Sequence, residues 1–211
     1  VGLGAKFAKW RAVINIDGHD LPSRYAIHAN AHALARYAKI CQEGGLVPIV
    51  EPEVLMDGDH DIDRCAEVTE ATLEAVYAEL YVQQVALEGT ILKPNMVISG
   101  KQCATQAGVD EVAAKTVTIL RRTVPAAVPG IMFLSGGQSE AHASEHLNAM
   151  NAQYTGLPWK LSYSYGRALQ ESALKVWSGK PENVSAAQKQ LLERARLNSA
   201  ACAAQYMEAA A

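Results

Sequence analysis

Three successive stretches of the chain set polar residues two apart among apolar neighbours: Lys9 with Arg11, Glu51 with Glu53, and Lys93 with Asn95. Residues two apart on a strand share a face, and polar residues at the C-terminal end of a strand suggest a site instead of a core. Strands of a parallel sheet covered on both faces are mostly apolar, so three consecutive polar pairs point to function over simple solvent exposure. Lys93 closes the run Thr90-Ile91-Leu92 and is the candidate nucleophile. A lysine attacks a carbonyl only as the neutral amine, a form favoured by burial and by a neighbouring cation. Lys9 or Arg11 supplies that cation. Expelling water from the resulting carbinolamine requires a carboxylate that moves protons, and Glu51 or Glu53 fits that need. The competing reading of the same residues is a buried structural ion pair, Lys93 with Glu51, that does no chemistry.

Two more segments suggest what the substrate carries. Ser135-Gly136-Gly137-Gln138-Ser139 and Ser164-Tyr165-Gly166-Arg167 each follow a strand and lead into a helix. Glycine lets backbone approach a ligand closely, and N–H groups at a helix start attract anions, so the two turns together read as a phosphate cradle with Arg167 as its cation. Taken singly, Ser-Gly-Gly is as well explained as a tight turn.

The elements that must position these residues alternate as βα units. Strands are expected at Phe7 to Ile16, Leu46 to Glu53, Thr90 to Val97, Ile131 to Leu134 and Leu161 to Tyr165. Helices are expected from Ser23, as N-cap, to Gln42; from Ile62 to about Val85, with Val68, Leu73, Val76 and Leu80 on one face; from Val109 to Arg122; and from Ser139 to Ala152. A C-terminal stretch, Ala168 to Tyr206, is expected in two helical pieces broken around Gly179-Lys180-Pro181, with Asn183 or Ser185 capping the second. Such units make an α/β fold with a parallel sheet, either doubly wound or closed as a barrel. Five strands cannot close a (β/α)₈ barrel, so the barrel reading places three strands upstream of Val1.

Composition narrows the classes. At 211 residues, 49% apolar and 19% charged, the chain is expected to be one soluble globular domain. A net charge of -3 with both signs interspersed offers no basic stripe for nucleic acid and no polybasic cluster for a membrane. Apolar runs such as Leu46 to Val50 fall far short of the ~20 residues of a membrane span. Val1-Gly2-Leu3-Gly4-Ala5 reads neither as a signal peptide nor as a natural start. Cys41, Cys65, Cys103 and Cys202 are scattered, as expected in a reducing compartment.

Several signals mislead. His28 with His32, and His142 with His146, stand four apart on helices but lack a third ligand, so no metal is expected. Asp57, Asp59 and Asp61 imitate a calcium loop, yet Ile62 stands where glycine is needed and Val68 where glutamate is needed. Gly2-Leu3-Gly4 precedes a strand instead of following one, and Phe7 occupies the place of the third glycine in a dinucleotide fingerprint.

Together, Phe7-Ala-Lys-Trp-Arg11, Val47-Pro-Ile-Val-Glu-Pro-Glu53, Asp57-Gly-Asp-His60, Leu87-Glu-Gly-Thr-Ile-Leu-Lys-Pro-Asn-Met96, Phe133-Leu-Ser-Gly-Gly-Gln-Ser139 and Ser164-Tyr-Gly-Arg-Ala-Leu-Gln170 closely resemble class I fructose-1,6-bisphosphate aldolase. The resemblance implies a (β/α)₈ TIM barrel of which residues 1–211 supply about strands 4 to 8 of a single domain, its N-terminal part missing. It implies reversible cleavage of fructose 1,6-bisphosphate to dihydroxyacetone phosphate and glyceraldehyde 3-phosphate, with a covalent imine on Lys93 and no metal or other cofactor. Glu51 is then the principal proton acceptor and donor, Lys9 assists, and Glu53 and Arg11 shape the charge around them. Ser135, Gly136, Gly137, Ser164, Gly166 and Arg167 hold a phosphate of the sugar.

The resemblance further implies a homotetramer and a cytoplasmic location, the plastid staying open. Family members also use an Asp, a Lys and an Arg from the first three strands, which no position here matches, and end in a terminal Tyr, whereas this chain ends Tyr206-Met-Glu-Ala-Ala-Ala211. Two other readings keep part of the pattern. One is a non-catalytic sugar-phosphate-binding scaffold with cytoskeletal filaments as partners. The other is a different lysine aldolase such as a transaldolase, which keeps the imine but not both phosphate turns.

Overall fold

Three side chains fix where long helices begin. Ser23, Asp61 and Ser139 accept hydrogen bonds from the backbone N–H of Ala26 (3.1 Å), Arg64 (2.8 Å) and His142 (3.1 Å), each satisfying a donor left orphaned in the first turn. In chain order the first four helices are α1 (Arg24–Glu43), α2 (Ile62–Val82), α3 (Val109–Thr123) and α4 (Glu140–Gln153). The uncapped α3 instead carries Asp110 and Glu111 in its first turn and Arg121 and Arg122 in its last, which complements the helix dipole at both ends. Two more α-helices, α5 (Arg167–Trp177) and α6 (Val184–Cys202), follow. The computed structural model describes residues 1–207; the last four residues of the C-terminal run quoted above, 208–211, lie outside them.

The strands are β1 (Phe7–Ile14), β2 (Val47–Val54), β3 (Ile91–Leu92), β4 (Gly130–Phe133) and β5 (Lys160–Tyr163). These five strands pair in parallel and their order across the sheet is their order in the chain. Right-handed crossovers in a sheet that always advances one way lay every helix on the same face. Accordingly α1 packs on α2, α2 on α3, α3 on α4, and α4 on both α5 and α6. A doubly wound sheet would reverse its order at a switch point; this one does not, and the α/β fold is that of a barrel wall.

Apolar side chains on the helix-facing side of the sheet join those of the helices. Val50, Leu92, Ile131 and Phe133 are buried together with Leu34, Leu73, Val76, Leu80, Leu147 and Met150, each contributing on the order of 1.5–3 kcal/mol of burial free energy. The predicted apolar face of α2, with Val68, Leu73, Val76 and Leu80, is buried as expected. Among the described residues no helix is long and apolar enough to cross a membrane.

Two expectations need correction. The third strand spans two residues instead of Thr90 to Val97, because Pro94 has no N–H to offer a ladder. Pairing continues only as single bonds, Lys93 N–H to the Val50 carbonyl (2.8 Å) and Leu134 N–H to the Pro94 carbonyl (3.0 Å). At the start of α6, Asn183 makes no side-chain cap and instead donates to the Trp177 carbonyl (3.2 Å), while Ser185 lies inside the helix.

Candidate active site

Strand alternation separates chemistry from core. Ala12, Val50 and Leu92 belong to the core shared with the helices, so Lys9, Arg11, Glu51, Glu53 and Lys93 project from the opposite face. There Glu51 stands between two lysines, with Lys9 Nζ 2.9 Å from Oε2 and Lys93 Nζ 3.0 Å from Oε1. Glu53 instead pairs with Arg11 through Oε2 and Nε. The choices left open by sequence are thereby divided: Lys9 is the cation beside the nucleophile through Glu51, and Arg11 is committed to Glu53.

Burial within this cluster is uneven. The Glu51 side chain is 4% exposed and that of Lys93 13%, against 41% for Lys9. Burying a carboxylate costs several kcal/mol unless it is paired, and the two ammonium groups supply that pairing. Both contacts are ion pairs, and Oε2 of Glu51, although buried, accepts no hydrogen bond of good geometry.

Asn95 does not join Lys93, contrary to the expectation that they share a face. Past Pro94 the strand alternation no longer applies. The Asn95 side chain accepts from Val54 N–H (3.1 Å) and donates to Thr69 Oγ1 on α2 (3.1 Å) and to the Met96 carbonyl (3.1 Å). It is a buried structural amide that ties the segment after the nucleophile to its neighbours.

The two glycine turns follow β4 and β5 at the same C-terminal rim. Gly136 and Gly137 have φ of +61° and +87°, a region that residues with a Cβ avoid. Arg167 is the first residue of α5, and Gly166 before it offers no side-chain cap, so the N–H groups of Arg167 and Ala168 stay available to an anion. Ser135 is buried beside the first turn. Ser164 continues β5, its N–H bonded to the Phe133 carbonyl (2.8 Å). The Arg167 guanidinium reaches back over the first turn, its Nη2 3.4 Å from where a Cβ on Gly137 would sit. Glu140 ties this frame together by accepting from Ser172 N–H of α5 (2.9 Å) and pairing with the buried Arg194 of α6 (3.6 Å).

Sequence reasoning missed Lys101, whose Nζ lies 2.8 Å from the same Gly137 position and 3.0 Å from Asp57 Oδ1. The available signal was a lysine after Gly100 in the loop that follows the nucleophile's strand. His146, set aside above as a metal ligand, is buried with Nδ1 2.6 Å from Gln138 Oε1, a contact that makes Nδ1 the protonated nitrogen.

Burial, with a smaller contribution from His142, pushes the His146 imidazole down to about 4 from its usual 6.5. Above pH 6.5 both folded and unfolded chains hold it neutral. As the pH falls from there towards 4 the unfolded chain takes up a proton that the folded chain refuses, so stability drops by on the order of 3 kcal/mol in all. Replacing His146 with Gln is expected to flatten this acid limb, which urea unfolding at pH 7 and pH 4.5 would measure.

The misleading signals resolve as structure. His28 and His32 both face Glu79, at 3.6 and 2.9 Å. Of the mock calcium loop, Asp61 caps α2 and Asp57 pairs with Lys101. Among the described residues no group of three or more His, Cys, Asp or Glu is arranged to hold a metal. The groove between α5 and α6, lined by Leu174, Trp177, Val184 and Leu191, has no titratable side chain and lies apart from the polar cluster.

Comparisons with known proteins point to one family. A family model described as fructose-bisphosphate aldolase class-I matches residues 2–211. The chain is 62% identical over 200 residues to a probable fructose-bisphosphate aldolase class 1 of Xanthomonas campestris pv. campestris, covering 94% of this chain and 59% of the relative. It is 60% identical to fructose-bisphosphate aldolase B of Gallus gallus, covering 97% of this chain and 56% of that one. A fructose-bisphosphate aldolase from Plasmodium falciparum, solved with TRAP and a small-molecule inhibitor, superimposes with a TM-score of 0.96 at 51% identity, over 99% of this chain and 60% of that one. The chain thus spans between half and three-fifths of the length of the relatives it matches.

Proposed function

From the premise that the chain belongs to the class I fructose-bisphosphate aldolase family, we propose that it carries the imine-forming half of an aldolase site that reversibly cleaves fructose 1,6-bisphosphate. The observation that carries the proposal is Glu51, buried between Lys93 and Lys9 with one carboxylate oxygen against each amine. A carboxylate so placed takes the proton that keeps Lys93 from attacking, and returns it where a hydroxyl must leave.

Lys93 Nζ adds to the ketone carbon, and the hydroxyl of the carbinolamine leaves as water with a proton from Glu51. The protonated imine then draws the electrons of the carbon–carbon bond as the Glu51 carboxylate takes the proton of the hydroxyl on the departing carbon. Glyceraldehyde 3-phosphate leaves and an enamine remains; protonation on carbon and hydrolysis release dihydroxyacetone phosphate and restore the amine. Lys9 stabilises negative charge on Glu51 and on substrate oxygens, and the Arg11–Glu53 pair shapes the field around both. Ser135, Gly136, Gly137, Ser164, Gly166 and Arg167 receive a phosphate through backbone N–H groups, hydroxyls and one guanidinium.

The imine is the electron sink, so no metal cofactor is needed in this scheme. Family membership extends the proposal to a single domain, a homotetramer in the cytoplasm, and cytoskeletal filaments as further partners. The deciding experiment is borohydride reduction with dihydroxyacetone phosphate, followed by intact mass and peptide mapping. One reduced triose phosphate on Lys93 is the expected result. A folded, intact protein that gains no adduct would sink the aldolase reading.

A further inference from the structure

The acidic loop after β2 and the loop after Lys93 are interlocked. Gly100 N–H donates to the His60 carbonyl (2.8 Å), Lys101 N–H to Met56 (2.7 Å) and Gln102 N–H to Gly58 (2.9 Å). Gly58 N–H in turn donates to Gln102 Oε1 (2.6 Å). The loops approach so closely that a Cβ on Gly100 would stand 2.4 Å from the Gly58 carbonyl oxygen. Four bonds and one glycine thus fix the backbone at Lys101, the point from which its side chain reaches out.

That amine goes to the Gly136–Gly137 turn. Lys101 Nζ and Arg167 Nη2 border the same point beside Gly137, at 2.8 and 3.4 Å, which holds the two cations within about 6 Å of each other. Among the described residues Arg167 forms no ion pair; it feels Glu171 on its own helix only at longer range. Lys101 pairs with Asp57, an exposed partner. Like charges held this close are costly unless an anion lies between them, and a phosphate monoester, with nearly two negative charges at neutral pH, asks for more than one cation.

We propose that Lys101 is a second phosphate-binding cation of this turn, exchanging Asp57 for the substrate's phosphate when it binds. The inference rests on the phosphate-cradle reading above and adds to it a residue that acts beside Arg167. Asp57 is then a competitor for Lys101, and removing it should help binding. A Lys101–Asp57 pair that merely held two loops together would require the reverse, with both substitutions damaging the site alike.

The test uses inorganic phosphate as the probe, titrated by calorimetry into the intact protein carrying Lys93→Met, so that imine chemistry plays no part. Lys101→Met is expected to weaken phosphate binding about tenfold, the loss of one charge-assisted contact. Lys101→Arg should restore affinity to within about threefold, and Asp57→Asn should tighten it about twofold. Thermal melting of each variant checks that the fold is kept, and the arginine rescue guards against a Lys101→Met chain that is merely misfolded. Unchanged affinity in Lys101→Met, weaker binding in Asp57→Asn, or no phosphate binding by the parent would overturn the proposal. Phosphate binding that follows this pattern in a protein that never traps an imine would instead leave Lys101 in place and remove the aldolase reading.

Discussion

Replacing Lys93 with arginine is expected to abolish both borohydride trapping and carbon–carbon cleavage, with kcat in the intact protein falling on the order of 10⁴-fold or more. Arginine keeps the positive charge and can still meet Glu51, whose Oε1 lies 3.0 Å from the lysine amine, but its guanidinium is never deprotonated and forms no imine. The substitution therefore separates the two meanings of the same contact. If Lys93 and Glu51 were only a buried structural pair, arginine would preserve most of its value and activity would change little. If Lys93 is the nucleophile, no amount of preserved charge compensates. Lys93→Met provides the complementary variant, since it fits an apolar strand end without demanding the extra volume of arginine. Glu51 still has Lys9 at 2.9 Å, so methionine should keep the fold while losing the adduct. Equal loss in both variants, with melting temperatures near the parent, is the expected pattern; near-normal turnover by the arginine variant would end the nucleophile argument.

How much of this site the sequence reveals depends on how local the cause is. The pairing of Lys93 with Glu51 was legible because period-two alternation and parallel neighbours leave few ways to place polar residues at a strand's end. The division of labour between Glu51 and Glu53 was not, because it depends on register. β1 and β2 pair Arg11 with Glu51 across the backbone, yet the side chains sort so that Arg11 meets Glu53 and Lys9 meets Glu51. Asn95 was misplaced for a local reason, Pro94, that was visible in the chain but overridden by the apolar run around it. Lys101 was out of reach for the opposite reason. Its amine arrives at Gly137 only because two loops more than forty residues apart interlock at Gly58 and Gly100, and no spacing rule encodes that. The wall-like order of the sheet was likewise undecided by pattern alone, since βα repeats are common to barrels and doubly wound sheets.

Replacing Glu51 with glutamine is expected to lower turnover by 10²- to 10⁴-fold, the usual range for a lost general acid–base group, while leaving an imine that borohydride still traps more slowly. Glutamine has nearly the same shape but cannot take up or return a proton at neutral pH, so each proton transfer falls to water. The nucleophile itself remains. That split distinguishes Glu51 from Lys93, whose loss removes the adduct outright. The variant should also be less stable. In the parent a carboxylate only 4% exposed is flanked by Lys93 and Lys9; in the variant the two ammonium groups face each other without the anion between them. Breaking a buried pair costs about 3–5 kcal/mol, less where a partner reaches solvent. With Lys9 41% exposed and able to swing outward, a loss towards or below the lower end of that range is expected from urea unfolding at pH 7. Adding Lys9→Met to Glu51→Gln should recover part of that stability by removing one of the two uncompensated cations, and should recover none of the turnover. A double variant that regained activity along with stability would mean that Glu51 serves the fold and that the proton is moved by another group.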